Sequence, residues 1–88
     1  MEKTPEIQSI ENKFKKTIKI FPQIVSYHDY RVIAESRERI IIVADIDVKE
    51  EVAESDFSQV ANDLEVRVKE KVPNVAYCAF YITPKFAY

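Results

Sequence analysis

The alternation of apolar and polar side chains is most distinct in the middle of the chain, in a run rich in isoleucine and valine at residues 39–48. This composition predicts a strand that is apolar on both faces where it begins. Successive strand side chains point to opposite faces. One face carries Ile40, Ile42, Ala44, Ile46 and Val48, and the other carries Ile41, Val43, Asp45 and Asp47. The first set is typical of a core, whereas the second begins apolar and ends in two carboxylates.

Two helices are predicted by apolar residues at helical spacing. The first has a start signal in Thr4 and Pro5, a capping hydroxyl followed by a proline that needs no N–H partner there. Its apolar stripe comprises Ile7, Ile10, Phe14, Ile18 and Phe21.

The second helix is predicted to start at Asp56, with Gln59 completing a capping box. Its stripe comprises Phe57, Val60, Ala61, Leu64, Val68 and Val72. A proline follows each stripe and ends the helix.

Two further strands complete the pattern. Residues 24–33 are rich in aromatic and β-branched residues, and the polar residues 34–38 connect them to the central run, so these two strands are predicted to form an antiparallel hairpin. His28, Tyr30 and Val32 share one face of the first strand, which the pattern alone does not assign to the core. Residues 75–83 form the last strand, with Ala76, Cys78, Phe80 and Ile82 on one face and Val75, Tyr77, Ala79 and Tyr81 on the other. Pro84 is predicted to close it.

The order helix, strand, strand, helix, strand defines an α+β fold in which two helices can cover only one face of a three-stranded sheet. The uncovered face would then carry Ile41, Val43, Tyr77 and Tyr81. Soluble monomers rarely expose an apolar patch of that kind unless a partner covers it. The pattern therefore predicts a homodimer with twofold symmetry.

Length and composition limit the classes of function. The 88 residues form a single domain, 1–88, and no apolar run approaches the length of a membrane span. Thirteen basic and fifteen acidic residues leave a net charge of −2, so nothing favours a nucleic-acid partner. Cys78 is the only cysteine, which excludes an internal disulfide and indicates a reducing compartment. The chain has no glycine, so it lacks the loops that cradle phosphates, and we expect no enzyme activity and no catalytic residues.

Few side chains are candidates for chemistry. His28 is either a hydrogen-bonded strand histidine or a metal ligand. Asp45 and Asp47 are either a solvated pair or, with His28 on the neighbouring strand, part of an open nitrogen and oxygen site for a divalent cation. Because adjacent strand residues point to opposite faces, Asp29 is not expected to join His28 in a dyad. Cys78 is predicted to be a buried, inert thiol.

A cluster of lysines occupies the C-terminal half of the first helix and comprises Lys13, Lys15, Lys16 and Lys19. One interpretation is a solvated helix face. The other is a basic arm near acidic lipid headgroups or near charges on an adjoining segment.

Several short motifs occur in a recognisable order. They are Phe21-Pro22, His28-Asp29-Tyr30-Arg31, residues 43–48, residues 60–64 and residues 80–84. Over residues 6–84 this arrangement resembles the cytosolic C-terminal domain of cation diffusion facilitator transporters. The resemblance implies a ferredoxin-like fold, a homodimer, and a divalent metal ion, with zinc a candidate, at the interface. It also implies that the chain is a fragment of a proton-coupled Zn, Mn or Fe exporter.

The family's ligand positions carry over only in part. The histidine of the His-Asp-x-Arg strand is His28, and the second-strand ligand aligns with Asp45. Three customary ligand positions hold Ser58, Tyr81 and Thr83, so a cluster of several histidines is not implied. What the resemblance implies is a site of His28 and Asp45, completed by water or by the other subunit.

The predicted function is thus that of a dimerisation and metal-responsive regulatory domain. The resemblance places it at the cytoplasmic face of the cell membrane, close to the membrane surface but not inserted, and linked to the transmembrane domain of the same transporter. The predicted metal ligands are His28, Asp45 and Asp47. Two alternatives stay open: a stand-alone ferredoxin-like sensor of a small ligand, and a structural dimerisation domain that binds no metal.

Overall fold

The computed structural model describes residues 5–36 and 38–85, and within them the predicted order of elements is confirmed. Helix α1 spans Pro5–Ile18 and helix α2 spans Phe57–Lys71, preceded by one turn of 3-10 helix at Glu54–Asp56. The strands are β1 (Ile24–Ser36), β2 (Arg39–Lys49) and β3 (Val75–Lys85). They form one sheet in the order β1-β2-β3, in which β2 pairs antiparallel with β1 and parallel with β3. The fold is the ferredoxin-like α+β arrangement.

The helices pack on one face of the sheet, which we call the inner face. It is built on the five alternating residues predicted as core in β2, which are 0 to 6% exposed: Ile40, Ile42, Ala44, Ile46 and Val48. Phe14 of α1 and Leu64 of α2 lie against this face and are 1% and 0% exposed. Because β2 is the central strand, its inner side chains contact both helices and tie the two halves of the chain into one core.

Element boundaries differ from the predictions in a few places. β1 does not end at Ile33 but continues to Ser36, because the β1–β2 ladder extends to the Ser36 and Arg39 pair. Pro84 does not end β3, which runs on to Lys85. A proline is tolerated there because β3 is an edge strand and needs no N–H on its open side.

The predicted helix starts have different outcomes. Asp56 is the residue before α2, but its side chain makes no capping hydrogen bond, because it is the last residue of the 3-10 turn and has helical dihedral angles. Gln59 instead donates to Asp63 Oδ1 at 2.8 Å, so the predicted capping box is wrong. Thr4 lies outside the described residues, so the predicted cap of α1 stays a prediction.

Register shifts in the edge strands change which side chains share a face. In β1, His28 pairs with Asp45 and Arg31 pairs with Val43, so two residues of β1 oppose one of β2 in a β-bulge. As a result Tyr30 lies on the inner face, with its ring centroid 5.0 Å from that of Phe14, whereas His28 lies on the opposite face with Asp45. The prediction that His28 and Tyr30 share a face is therefore wrong.

A similar shift near the start of β3 moves one predicted residue to the other face. Val75 pairs with Ile40 and Tyr77 with Ile41, so two steps along β3 match one step along β2. Val75 joins the inner core at 4% exposure instead of sharing the face of Tyr77.

The outer face of the sheet, on the side away from the helices, leaves fewer of the predicted apolar side chains exposed. Ile41 is only 7% exposed, because it lies in the central strand between its lateral partners Ile33 and Tyr77. The prediction that Ile41 contributes to an exposed patch is therefore wrong. Tyr81, Tyr77 and Ile33 are 63%, 45% and 47% exposed, and Val43 between them is half-buried. Large apolar side chains thus remain uncovered on this face.

We expect Phe14→Ala to destabilise the domain by about 3–5 kcal/mol, because it removes a buried ring and leaves a cavity between α1 and the sheet. The ring contacts Tyr27, Tyr30 and Phe80 at centroid distances of 5.1, 5.0 and 5.8 Å. Urea denaturation at a fixed protein concentration measures the effect. Val66→Ala, at a helix position 58% exposed, is the control and should change stability by less than about 1 kcal/mol. Equal effects of the two substitutions would contradict the packing described.

Candidate metal centre

The structure brings the predicted His28, Asp45 and Asp47 together on the outer face. His28 on β1 pairs directly with Asp45 on β2, and Ser26 pairs with Asp47. The antiparallel ladder therefore brings the side chain of His28 close to both aspartates. His28 Nε2 lies 3.4 Å from Asp45 Oδ2, and His28 Nδ1 lies 3.3 Å from Asp47 Oδ2. The imidazole ring therefore has one aspartate near each of its two nitrogens.

Asp29 is a fourth member of the site that the sequence pattern excluded. Its φ of 53° places it in the left-handed region, at the β-bulge of β1. Glycine usually occupies such a position, but the chain has none, and aspartate is among the residues that tolerate it. The turn of the backbone brings Asp29 Oδ2 to 3.9 Å from His28 Nε2, although the two residues are adjacent. Alternation of side chains fails here because the strand is irregular.

A signal for this irregularity is present in the sequence. Asp29 interrupts a strand of aromatic and β-branched residues, and aspartate is depleted in regular strands but favoured in turns and bulges with positive φ. An aspartate directly after a histidine in such a strand can therefore mark a bulge. The prediction of a regular strand is therefore wrong at this position.

The donor atoms are close enough to share one cation. One ligand atom each from His28, Asp29 and Asp45 can be chosen so that all three lie within 4.8 Å of one another. Imidazole nitrogen with carboxylate oxygen is the usual ligand set for Zn²⁺, Mn²⁺ and related divalent ions. The chemistry of the donors thus fits a divalent metal. It does not fit a soft monovalent ion, since none of these side chains offers sulfur.

The side chains around the ring differ in exposure. Asp29 is 77% exposed, His28 54% and Asp45 31%, whereas Asp47 is only 12% exposed. Asp47 Oδ2 accepts a hydrogen bond from Ser26 Oγ at 2.9 Å. The site therefore opens to solvent on the Nε2 side of the ring and is closed on the Nδ1 side.

A shallow depression of about 540 Å³ lies on the outer face beside this site. Its lining is Asp29, Tyr30, Arg31, Val43, Asp45 and Tyr81. Two carboxylates and one guanidinium thus border the same opening as the exposed ring of Tyr81. A cation held here would be next to the uncovered apolar surface of the sheet.

The positions at which the family resemblance expects further ligands are occupied differently. Tyr81 and Thr83 lie on β3, paired with Asp45 and Asp47, and both are exposed. Ser58 is exposed in the first turn of α2. Tyr81 and Ser58 line a second depression, of about 310 Å³. These three side chains supply hydroxyl groups rather than imidazole.

Cys78 lies on the inner face, packed against the core and half-buried. Burial, and secondly the negative charge of Glu65, raises the pKa of its thiol to about 12. The thiol is therefore neutral at physiological pH and is neither nucleophilic nor a ready metal ligand.

Tyr30 is the other buried group with a changed pKa. Burial above all, with a smaller contribution from Glu11, raises the pKa of its hydroxyl above the ordinary value. Among the described residues, this hydroxyl has no hydrogen-bond partner. Tyr30 packs against Phe14 and Tyr27 on the inner face, so its side chain offers no ligand to the outer face.

Comparison with solved structures shows which class of domain has this fold. The chain is similar to the metal-bound C-terminal domain of the CzcD transporter from Thermotoga maritima, with a TM-score of 0.85 over 93% of this chain and 94% of that one, at 12% identity. It is equally similar to the cytosolic domain of a cation diffusion facilitator family protein, with a TM-score of 0.84, 12% identity, and coverage of 93% and 96%. A copper form of a MamM C-terminal domain variant gives a TM-score of 0.79 at 11% identity, covering 91% of this chain and 99% of that one. At these identities the likeness shows the fold alone.

The family itself is shown by the sequence. The profile described as "Cation efflux protein, cytoplasmic domain" matches residues 7–84, and the chain belongs to that family. It is thus a cytosolic domain of cation diffusion facilitator transporters, a family of transporter domains and not of enzymes. A comparison with curated protein sequences gave no match. Among the described residues, no helix has the length and apolar character needed to cross a membrane.

The positive φ of Asp29 leads to a testable prediction. Asp29→Val should destabilise the domain by about 1–2 kcal/mol, because a β-branched residue fits poorly at positive φ. Asp29→Asn should leave stability nearly unchanged, because asparagine tolerates the same dihedral angles and differs only in charge. Urea denaturation of both variants at one protein concentration checks this. If both variants have wild-type stability, the backbone at this position is not constrained as described.

Proposed function

We propose that this chain is a dimerisation and metal-responsive regulatory domain of a divalent-cation efflux transporter. The observation that carries the proposal is the cluster of one imidazole and three aspartates on the same face as the exposed apolar side chains. A cation bound there lies beside the surface that a second copy would cover. Binding of metal and pairing of subunits would then influence each other.

The cation would be held by His28 Nε2 with the carboxylates of Asp45 and Asp29. These atoms belong to three residues within one hairpin, so the site needs no rearrangement of the helices. The ion would neutralise carboxylates that otherwise repel each other across a partly exposed site. Water or a group from the second subunit would complete the coordination, as expected for an open site.

The homodimer would form through the outer face. Tyr77 and Tyr81 are exposed there, and both helices pack on the opposite face of the sheet. Exposed apolar groups of this size on one face support burial against a second copy of the same surface. Since a ligand that prefers one arrangement shifts the population towards it, metal would favour the dimer arrangement whose ligands are complete.

The domain would be linked to the transmembrane part of the same transporter and would lie close to the membrane without entering it. The lysines of the predicted basic cluster are all exposed, three of them on α1 and Lys19 just after its end. Two of them, Lys13 and Lys16, line a depression with Ile20 and with Lys71 of α2. This surface supports either interpretation given above, a solvated face or a basic side turned towards acidic headgroups.

Metal binding is tested by titration calorimetry with Zn²⁺ and Mn²⁺. We expect heat of binding for the wild type. His28→Ala and Asp45→Asn should each weaken binding by at least about tenfold, because losing even a group that only hydrogen-bonds to a metal ligand typically weakens metal affinity by that much. Asp63→Asn on the exposed face of α2 is the matched control, because it removes the same charge away from the site. Absence of heat with both metals would leave the structural dimerisation domain without a metal as the better function.

The dimer is tested by analytical ultracentrifugation. The wild type should sediment as a dimer, whereas Tyr81→Glu should shift it to a monomer by placing a charge on the outer face. Val66→Glu is the control, because Val66 is 58% exposed, much like Tyr81 at 63%, but lies on α2. A wild type that remains monomeric at high concentration, with and without metal, would contradict the proposed pairing. A dimer disrupted by Val66→Glu alone would instead place the interface on the helices.

A further inference from the structure

Asp47 differs from the other aspartates at the metal centre in its surroundings. Its side chain is 12% exposed, and the oxygen that faces His28 Nδ1 at 3.3 Å is the one that accepts from Ser26 Oγ at 2.9 Å. Asp45 and Asp29 lie near Nε2 and are 31% and 77% exposed. The ring of His28 thus has a buried carboxylate beside one nitrogen and two more accessible carboxylates beside the other.

The two ring nitrogens have different roles when a histidine binds metal. A neutral imidazole carries a proton on one nitrogen and a lone pair on the other. A buried carboxylate needs donors, because water cannot reach it to replace them. Ser26 supplies one donor to Asp47, and Nδ1 is placed to supply a second. Asp45 is more exposed, so water can solvate it when no cation is bound.

We propose that Asp47 is a positioning residue, held by Ser26, which keeps the proton of His28 on Nδ1 so that Nε2 presents its lone pair to the cation. The inference rests on the metal-binding function proposed above and gives Asp47 a different role from the ligand predicted by sequence. In ligating histidines the N–H of the second ring nitrogen commonly donates a hydrogen bond to a carboxylate in this way, which fixes the tautomer and the ring orientation. Here the serine fixes the carboxylate in turn.

The register of the β1–β2 ladder supports this division of roles. Ser26 pairs with Asp47 and His28 pairs with Asp45, so on the outer face one cross-strand pair holds the supporting groups and the next holds the proposed ligands. A cation at Nε2 would lie on the side that opens to the depression. Asp47 lies on the closed side, where a hydrated ion would have to displace Ser26 to approach it.

The tautomer is measured by long-range proton–nitrogen NMR correlation on the metal-free domain. The chain contains a single histidine, so its ring signals need no assignment by mutation. At a pH where the NMR signals show the ring to be neutral, we expect the proton on Nδ1. Asp47→Ala should abolish this preference and Ser26→Ala should weaken it. A wild-type ring with its proton on Nε2 would overturn the proposal.

Controls separate this role from a general effect on folding. Thr17→Val removes another buried hydroxyl, one that donates to the Lys13 carbonyl at 2.8 Å away from the site, and should leave the tautomer unchanged. Asp47→Asn keeps an oxygen that can accept from Nδ1 and should rescue most of the preference lost in Asp47→Ala. If Asp47→Ala fails to fold, Asp47→Asn and Ser26→Ala still test the role.

Zinc titration of the same samples distinguishes positioning from ligation. Zn²⁺ should shift the Nε2 resonance and leave the proton on Nδ1, and Asp47→Ala should weaken binding by about 10–100-fold. A metal shift at Nδ1 would show that Zn²⁺ enters the Asp47 side and would overturn the proposal. If Zn²⁺ changes no resonance, the proposed metal function fails, whereas the tautomer in the metal-free domain still decides the role of Asp47.

Discussion

The packing of β2 against both helices is the constraint on which the rest of the structure depends. Its inner residues are almost completely buried and contact apolar side chains from each helix. This arrangement uses both helices on one side of the sheet. The outer face therefore is not covered by the helices, and the candidate metal ligands and the exposed Tyr77 and Tyr81 lie there.

The same constraint explains where irregular backbone occurs. β2 is fixed on its inner face, so the edge strands β1 and β3 accommodate every register shift. The shift in β1 keeps Tyr27 and Tyr30 in contact with Phe14 while it places His28 and Asp29 outside. Packing on the inner face and the placement of the candidate ligands on the outer face thus depend on one bulge.

Much of this fold follows from sequence pattern, because the periods of two and of 3.6 residues are strong in β2, α1 and α2. The cross-strand meeting of His28 with Asp45 could also be inferred once the hairpin was recognised. The pattern could not give the face of Tyr30, the inward position of Val75 or the participation of Asp29. Each of these depends on a local insertion that reverses alternation, so alternation alone could not give them, although the aspartate within the first strand is a signal for the bulge there. The burial of Ile41 was missed for another reason, since lateral neighbours in a central strand cover a side chain even without a partner layer.

The position of Cys78 bears on which ions the proposed site could hold. The sheet separates its thiol, on the inner face, from the nitrogen and oxygen donors on the outer face, and burial keeps that thiol protonated. Thiophilic ions such as Cu⁺ or Hg²⁺ gain most of their affinity from sulfur, and the described residues around His28 provide none. At the proposed site, this separation of sulfur from the nitrogen and oxygen donors would disfavour thiophilic ions, in addition to any effect of ionic radius or coordination number.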